Sequence, residues 1–584
     1  MKVDINKMKQ VNFSIEEHYT KEELLKWLIS AVNDANWLLA EKILQKYKEN
    51  YGQDYTDVVG ILESSIWLAS NDLEKAWEAT QKGLEYNTYN HELYYIQGEI
   101  KEMQQEYRAA YLCYLQSLFY AEKDDVEFIK NNIEEFIKIH PLFCWKITII
   151  MSAGYSVENL KKSLNSIQKF VSGLLCDIVC LVDVKQKEAM EYLEKQNRVR
   201  MVLLDDKNNY TRARNSIIQE LKNTDILLLS AGCILLPNTI HNLAMTLAEQ
   251  EHANIAACSM YEDKIKNVYI SGREEQKLCL YEAKGLLIRR EFFGENQFDE
   301  NIDTEKYAIM DLTIQNLVQN YGNLVNENSI VLEGNVRTES EINLKKDREY
   351  LKQKWGLDIE YYNGVRTDLI EMIKEDYHRD IKVLEIGCGT GATLLEIKKL
   401  YPNSKVYGLE LQKEAAELGS KLLPIECGNI EDRKLNFQGE YFDYILMGDV
   451  LEHLCYPEDV LVYLKKFLKN EGYILASIPN IQHYSAFIPM LFGEFEYTNS
   501  GILDRTHLRF FTWNSIQNMF ERINYKITEV RLNDTSSWVY PWEERIIDQL
   551  CKIDDNIDKQ SFMTLQYCVK VQRKKEEELE QVLG

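Results

Sequence analysis

The sequence predicts a multidomain protein in which an all-α region precedes two successive α/β domains. Three observations carry this. Apolar and small residues recur at helical spacing up to about residue 140. From residue 146, short β-rich runs alternate with helical segments. A second series opens at "IKVLEIGCGTG", residues 381–391, where a strand runs into a glycine-rich turn. The domains are read as 1–140, 146–356 and 357–584.

In the first region "NWLLAEKILQKY", "NDLEKAWEATQKGLEY" and "QEYRAAYLCYLQSLFY" share a skeleton of small and aromatic residues. Leu73 matches Tyr107, Ala76 matches Ala110 and Leu84 matches Leu118, an offset of 34; Trp37 and Ala40 fit at 36. The pattern resembles a short tetratricopeptide array, in which small residues let paired helices pack closely. That resemblance implies a surface for a protein partner. A plain bundle of helical hairpins packed on the next domain is the alternative.

In the middle region the strands read "KITIIMSA", "CDIVCLVD", "VRMVLLD" and "DILLLS", with helices such as "ENLKKSLNSIQKF" and "TRARNSIIQELKN" between them. This order implies a parallel sheet. "KITIIMSAGYSVENLKKSLNSI", "NNYTRARNSII" and "LLIRREFF…FDENID" resemble the family 2 glycosyltransferases, which use a nucleotide-sugar on a GT-A fold. By that resemblance Asp183, Arg214 and Asp311 are the nucleotide-sugar residues, with Arg212 and Asn215 beside them. The resemblance also exposes losses. The family's metal-binding Asp-x-Asp falls on Ser230 and Gly232, neither of which offers a hard cation a carboxylate. Only Asp311 remains of an acidic pair in "YAIMDL", and Asp183 stands alone in "CLVDVK". A degenerate domain follows, one that binds a glycan or nucleotide or serves as a spacer. Arg212 and Arg214 either bind an anion or pair with acids of this acidic chain.

In the third region a strand ends at Glu385, and Gly387, Gly389 and Gly391 turn the chain into a helix. Such a turn lets the main chain approach a ligand and leaves helix N–H groups free. Glu410 ends the next strand, where an acid accepts hydrogen bonds from two ribose hydroxyls. The loop alone suits a dinucleotide or S-adenosylmethionine. Its order, with "FDYILMGDVLEHL" and "GYILASIPN", resembles class I S-adenosylmethionine-dependent methyltransferases, and "PNIQHY" and "GILDRTHLRFFT" resemble members acting on small metabolites and sugars. The resemblance implies a Rossmann-like fold with S-adenosylmethionine as cofactor. It places Glu385, Gly387, Cys388, Gly389 and Gly391 around the methionine part, Glu410 at the ribose, and Asn429 and Ile430 at the adenine. His453 is the candidate general base, because its ordinary pKa of about 6.5 suits proton transfer. Asp449 orients ligands or caps a helix beginning at "VLEHL". Asn480, His483, Asp504, His507 and Arg509 are expected to shape the acceptor pocket. Arg509 paired with Asp504 is the structural alternative.

The 93 acidic residues exceed the 68 basic ones, which argues against nucleic acid or an anionic membrane as partner. The first 20 residues hold no apolar core of a signal peptide, and no run is long enough to span a bilayer. The 12 cysteines include no C-x-x-C pair and suit a reducing, cytoplasmic setting; no metal site is expected. The expected activity is methyl transfer to a sugar or sugar-linked group in surface glycan or glycoprotein (for example flagellar) modification. A bifunctional glycosyltransferase/methyltransferase and a non-catalytic assembly scaffold are the alternatives.

Overall fold

A computed structural model describes residues 19–154, 156–171, 175–204, 210–230, 232–261, 275–277, 285–332, 340–534, 539–554 and 557–574. Ala231, between Ser230 and Gly232, and most of the first 20 residues lie outside these. The chain divides into two compact units. One comprises 1–275, 281–312 and 321–339; the other comprises 340–584 with the segments 276–280 and 313–320. The helix Glu341–Trp355, assigned from sequence to the middle region, thus groups with the C-terminal unit.

The first unit begins with seven helices: α1 (Lys21–Asn33), α2 (Trp37–Tyr51), α3 (Asp57–Ala69), α4 (Leu73–Tyr86), α5 (His91–Met103), α6 (Tyr107–Tyr120) and α7 (Val126–Ile139). The first six pair as antiparallel hairpins. Each hairpin turns through one residue of positive φ, Ala35, Asn71 and Gln105, at the offsets that relate the three sequence segments. Small residues set the closest approaches. A Cβ on Gly60 would lie 2.8 Å from the Gly83 Cα, and one on Gly98 would lie 2.4 Å from the Tyr114 ring.

The last hairpin packs on the sheet that follows. Tyr111, Leu115 and Phe136 share a core with Ile147, Ile149 and Leu243. Asn238, in the left-handed conformation before the helix Thr239–Glu249, joins Gln116, Tyr120, Tyr94 and Thr88 by hydrogen bonds of 2.6–2.8 Å. Buried Arg108 stacks on Trp145, donates to its carbonyl and faces buried Asp225, which accepts from the Trp145 indole at 2.7 Å.

That sheet contains β1 (Lys146–Ser152), β2 (Cys176–Asp183), β3 (Val199–Leu204), β4 (Thr224–Leu229), β5 (Ile234–Leu235), β6 (Ala253–Tyr261), β7 (Glu275–Lys277), β8 (Gly285–Ile288) and β9 (Gly322–Leu332). Its order is β3-β2-β1-β4-β8-β6-β9-β5, with β7 beside β9. The four strands read from the sequence are parallel neighbours, while β8 runs antiparallel to β4 and β6. After β4 the Cys233 N–H donates to the Ser230 carbonyl, and Gly232 takes φ +84°.

The C-terminal unit is built on a second sheet: β10 (Lys382–Ile386), β11 (Lys405–Glu410), β12 (Ile425–Cys427), β13 (Phe442–Gly448), β14 (Leu468–Pro479), β15 (Tyr525–Asp534) and β16 (Thr564–Arg573). The order is β12-β11-β10-β13-β14-β16-β15, parallel except that β16 is antiparallel to both neighbours. Alternation along the strands splits the core between the two faces. Leu384, Ile445 and Met447 pack on one side with Leu461 and Phe520. Val383, Tyr444 and Leu446 pack on the other with Leu394 and Ile397. Among the described residues no helix is long and apolar enough to cross a membrane.

Candidate functional site

The C-terminal sheet reverses its winding at β10, which lies between β11 and β13. In open α/β sheets the crevice at such a point, beyond the carboxyl ends of the strands, is where ligands bind. The glycine turn, Glu410 and Asp449 all lie at these strand ends.

Gly387, Gly389 and Gly391 each take positive φ, and Gly391 caps the helix Ala392–Leu400. Gly389 is the most constrained: at φ +55°, its Cβ would fall 2.1 Å from the Tyr362 carbonyl oxygen. That same oxygen accepts from the Thr390 N–H at 2.8 Å, so the segment before β10 clamps the turn. Cys388 is buried, and desolvation pushes its thiol up.

Glu410 accepts from the N–H of Gly389 at 2.8 Å and of Gln412 at 2.7 Å, one bond to each oxygen. Each oxygen keeps a lone pair for a further donor. Glu385 is buried and one of its oxygens has no partner; desolvation raises its carboxyl to about 8. An orphaned acid beside a glycine cradle, with a second acid fixed by main-chain donors, fits a ligand carrying a cation at one end and a diol at the other. S-adenosylmethionine has both. Ile430 is buried beyond β12, whereas Asn429 is exposed and its side-chain oxygen accepts from the Glu431 N–H at 2.9 Å.

Asp449 follows β13 with φ +54°, before a one-turn 3-10 helix, Leu451–His453. The cap of that turn is Val450, so Asp449 is not a helix cap. Its carboxylate accepts from Ser477 at 2.8 Å, from Gln566, and from Arg366 at 3.0 Å. Arg366 also forks onto Asp368 at 3.0 and 2.6 Å. Desolvation opposes the Arg366 charge, but the two carboxylates outweigh it and hold the guanidinium above its usual value. Sequence reasoning passed over Arg366; the signal was the R-x-D spacing in "GVRTD".

Glu452 is 1% exposed, and neither carboxylate oxygen has a hydrogen-bond partner. Burial, then the charge of Asp449, pushes it well above the usual carboxylate range. Its main-chain carbonyl accepts from the N–H groups of Leu508 and Arg509, at 2.8 and 3.0 Å. This ties the turn to the loop carrying His507. The His453 and His507 rings meet edge to face, with centroids 4.8 Å apart. His453 Nδ1 lies 3.2 Å from the Thr506 carbonyl and His507 Nδ1 lies 2.9 Å from that of Ile502. Ligand atoms of Glu452, His453 and His507 all lie within 4.8 Å of one another. Desolvation and the neighbouring His507 lower His453, disfavouring its protonated form. Glu452 was missed because it reads as a helix-surface acid beside the more conspicuous histidine.

The other expected acceptor residues divide. Asn480 is fully buried and donates both amide hydrogens, to the carbonyls of Ser561 at 2.7 Å and Thr564 at 2.8 Å. It braces the chain and offers an acceptor nothing. His483 caps the helix Tyr484–Leu491 through Ser485, and burial lowers it to about 4, so it stays neutral. Asp504 accepts from the Thr506 N–H and hydroxyl at 2.8 and 2.6 Å. Arg509 donates to the carbonyls of Leu508 and Cys455 and does not pair with Asp504.

In the middle sheet, Arg214 is buried and paired with Glu305 at 2.7 Å, and Arg212 pairs with Glu300 at 3.0 Å. Asn215 exchanges two hydrogen bonds with the main chain of Phe298. Asp311 is 1% exposed within the helix Glu305–Val318. Asp183 accepts from the Lys185 N–H at 2.8 Å, in a turn after β2. The basic pair is thus engaged by acids of its own unit, and Asp311 is turned inward.

Residues 360–530 match the family described as "Methyltransferase domain". The chain is 25% identical over 219 residues to the mitochondrial ubiquinone biosynthesis O-methyltransferase of Candida albicans, covering 35% of this chain and 66% of that one. It is 28% identical over 116 residues to the malonyl-[acyl-carrier protein] O-methyltransferase of Bacillus cereus, covering 19% and 42%. The chain therefore spans less than two thirds of the length of these relatives. A solved structure of a SAM-dependent methyltransferase from Archaeoglobus fulgidus is similar at 17% identity, covering 40% of this chain and 100% of that one, with a TM-score of 0.26.

Proposed function

We propose that the C-terminal unit, a methyltransferase domain whose cofactor is S-adenosylmethionine, methylates an oxygen of a sugar or sugar-linked acceptor. Glu410 carries this assignment. An acid at the end of β11, clamped by the Gly389 N–H of the glycine turn, is a receptor for a ribose diol set beside a cradle for the rest of the cofactor. Glu385 would hold the cationic end. When bound, the cofactor supplies a methyl group already activated on a sulfonium.

The protein's own residues then have two tasks. They must hold the acceptor in line, a proximity effect, and they must accept or disperse the proton of its hydroxyl. Arg366 fixes Asp449 and with it the turn that presents His453. The Nδ1 atoms of His453 and His507 face carbonyl oxygens, which only accept, so each ring carries hydrogen there; burial disfavours the protonated form of His453 and leaves its Nε2 as a base. An oxygen acceptor is supported by the names of the two relatives above. A sugar acceptor is supported by the middle sheet, whose sequence resembles glycosyltransferases, and is argued by analogy. With Ser230 and Gly232 at the metal positions and Arg214 held by Glu305, the middle sheet is read as a scaffold that does not transfer sugar. The tetratricopeptide-like hairpins pack on it.

Calorimetry of the full chain with S-adenosylmethionine tests the proposal. Binding is expected at micromolar concentration and is expected to vanish in Glu410→Ala. Incubation with methyl-labelled cofactor and a panel of nucleotide-sugars, glycopeptides and simple hydroxylated compounds then identifies the acceptor. No binding of cofactor at about 1 mM would sink the assignment.

A further inference from the structure

We infer that Phe495, Tyr497 and Phe510 form a platform on which a neutral sugar ring of the acceptor stacks. The inference rests on the methyl transfer to a sugar proposed above, and it narrows the acceptor to one without phosphate or carboxylate. Two of the rings follow the helix Tyr484–Leu491, and the third lies in the segment that carries His507.

The rings make a corner. Phe495 stands at 89° to Tyr497, with centroids 5.6 Å apart, and at 79° to Phe510, with centroids 6.2 Å apart. Tyr497 and Phe510 lie within 36° of each other at 6.5 Å. Phe495 is 45% exposed and Tyr497 53%. Aromatic surface gathered in one place and left to water marks a face that a ligand covers. Main-chain bonds hold the corner in place. The Glu494 N–H donates to the Pro489 carbonyl at 3.0 Å, the Thr498 N–H to that of Leu503 at 2.9 Å, and the Arg505 N–H to that of Thr498 at 3.1 Å. The platform therefore exists before its ligand arrives, which lowers the ordering cost of binding.

Two features choose the occupant. The first is continuity with the candidate base. The Phe510 ring lies 6.4 Å from that of His507, which in turn lies 4.8 Å from that of His453. A ring stacked on the platform thus belongs to the acceptor. The second is charge. Both cations of the loop are engaged by main-chain carbonyls, Arg505 by Thr498 and Arg509 by Leu508 and Cys455. The exposed side-chain carboxylates of Glu494 and Glu496 pair with none of the described residues. A sugar phosphate or nucleotide-sugar would meet like charge here. A neutral pyranose meets none. Its C–H face is the positive partner that the negative face of an aromatic ring prefers. Its hydroxyls lie at the edge, and carboxylates accept from them.

The full chain is titrated with methyl glycosides and short oligosaccharides of glucose, galactose, mannose, rhamnose and N-acetylglucosamine. Sugar phosphates, nucleotide-sugars and catechol are titrated in parallel, and each compound is then offered with methyl-labelled S-adenosylmethionine. Binding of a neutral glycoside and methyl transfer to it are expected. Tyr497→Ala and Phe510→Ala are each expected to weaken that binding by about 10-fold. They should raise KM and leave kcat little changed, because stacking is equal in the ground and transition states. Tyr497→Phe keeps the ring and is expected to bind within about twofold of wild type. Cofactor affinity of all three variants is expected to stay within about twofold of wild type, which shows that the unit is folded. Absence of glycoside binding, a preference for catechol or a phosphorylated sugar, or alanine variants that bind as wild type does would overturn the platform. Methyl transfer to a sugar phosphate, unchanged in the variants, would overturn the platform and leave the methyl-transfer proposal standing. Glycoside binding lost in Tyr497→Ala, in a chain that does not bind S-adenosylmethionine, would support the platform and overturn the methyl transfer alone.

Discussion

Gly389→Ala is the sharpest perturbation of the glycine turn. At φ +55° the new side chain sits in left-handed backbone, which costs a non-glycine residue about 1–2 kcal/mol. Its Cβ would also lie 2.1 Å from the Tyr362 carbonyl oxygen and 3.0 Å from the Tyr362 carbonyl carbon. Main chain cannot swing aside as a flexible side chain does, so the carbonyl must be displaced. That displacement breaks its bonds from the Thr390 N–H at 2.8 Å and hydroxyl at 3.3 Å, at about 1 kcal/mol each. The total is about 3 kcal/mol, a factor of about 100 in an equilibrium constant. The loss falls on the turn itself, because the displaced segment is what clamps it, and so it should emerge as weakened cofactor binding together with lower stability of the C-terminal unit. Gly493→Ala is the control: φ is +83° there, but nothing lies within 4 Å of its Cβ, so only the conformational cost applies. Calorimetry with S-adenosylmethionine and urea unfolding of both variants separate contact from conformation. A Gly389→Ala chain that binds cofactor within threefold of Gly493→Ala, and unfolds with it, would refute the clamp.

Three further outcomes are expected. Glu385, raised to about 8 in the fold from 4.5, is protonated in both states below pH 4.5; from there to pH 8 only the unfolded chain ionises, so stability falls as pH rises, by about 1.4 kcal/mol per unit. Glu385→Gln should flatten that slope and be the more stable form at pH 8 by urea unfolding, on the order of 4 kcal/mol at most; a wild type more stable at pH 8 would reverse the sign. Arg366→Met leaves Asp368 and Asp449 without their shared cation, and should cost the C-terminal unit about 2–3 kcal/mol in denaturant unfolding; Arg366→Lys should rescue little, since one ammonium cannot fork onto Asp368 and still reach Asp449. Arg108→Met strands buried Asp225 and should destabilise the first unit by about 3–5 kcal/mol, seen as faster limited proteolysis, while Arg108→Met with Asp225→Asn recovers most of it.

What the sequence disclosed and what it hid separate by the range of the interactions. The glycine turn is a local device, so Gly387, Gly389 and Gly391 were legible from spacing, and the strands on either side from their apolar runs. The three hairpins were legible because each repeats its turn and its small residues at a fixed offset, as Ala35, Asn71 and Gln105 show. Asn480 and His483 misled for the opposite reason. A polar residue after a strand looks free in a sequence, and nothing near Asn480 reveals that the carbonyls of Ser561 and Thr564, 81 and 84 positions away, take both its amide hydrogens. Arg366 was hidden likewise, because its role depends on Asp449, 83 positions on.

The cluster at Glu452 extends this point. His453 and His507 are 54 positions apart. What joins them is the N–H groups of Leu508 and Arg509 on the Glu452 carbonyl, main chain to main chain, and the His453 ring against the Thr506 carbonyl. Almost any residues could occupy Leu508 and Arg509 and make those bonds, so the pairing leaves no side-chain signature. The side chains it brings together are another matter. Burying an acid costs desolvation, so a fold that needed only the loop pairing would be better served by leucine or methionine at position 452. That an acid stands there is a cost to the fold, and burial and the charge of Asp449 push its carboxyl upward accordingly.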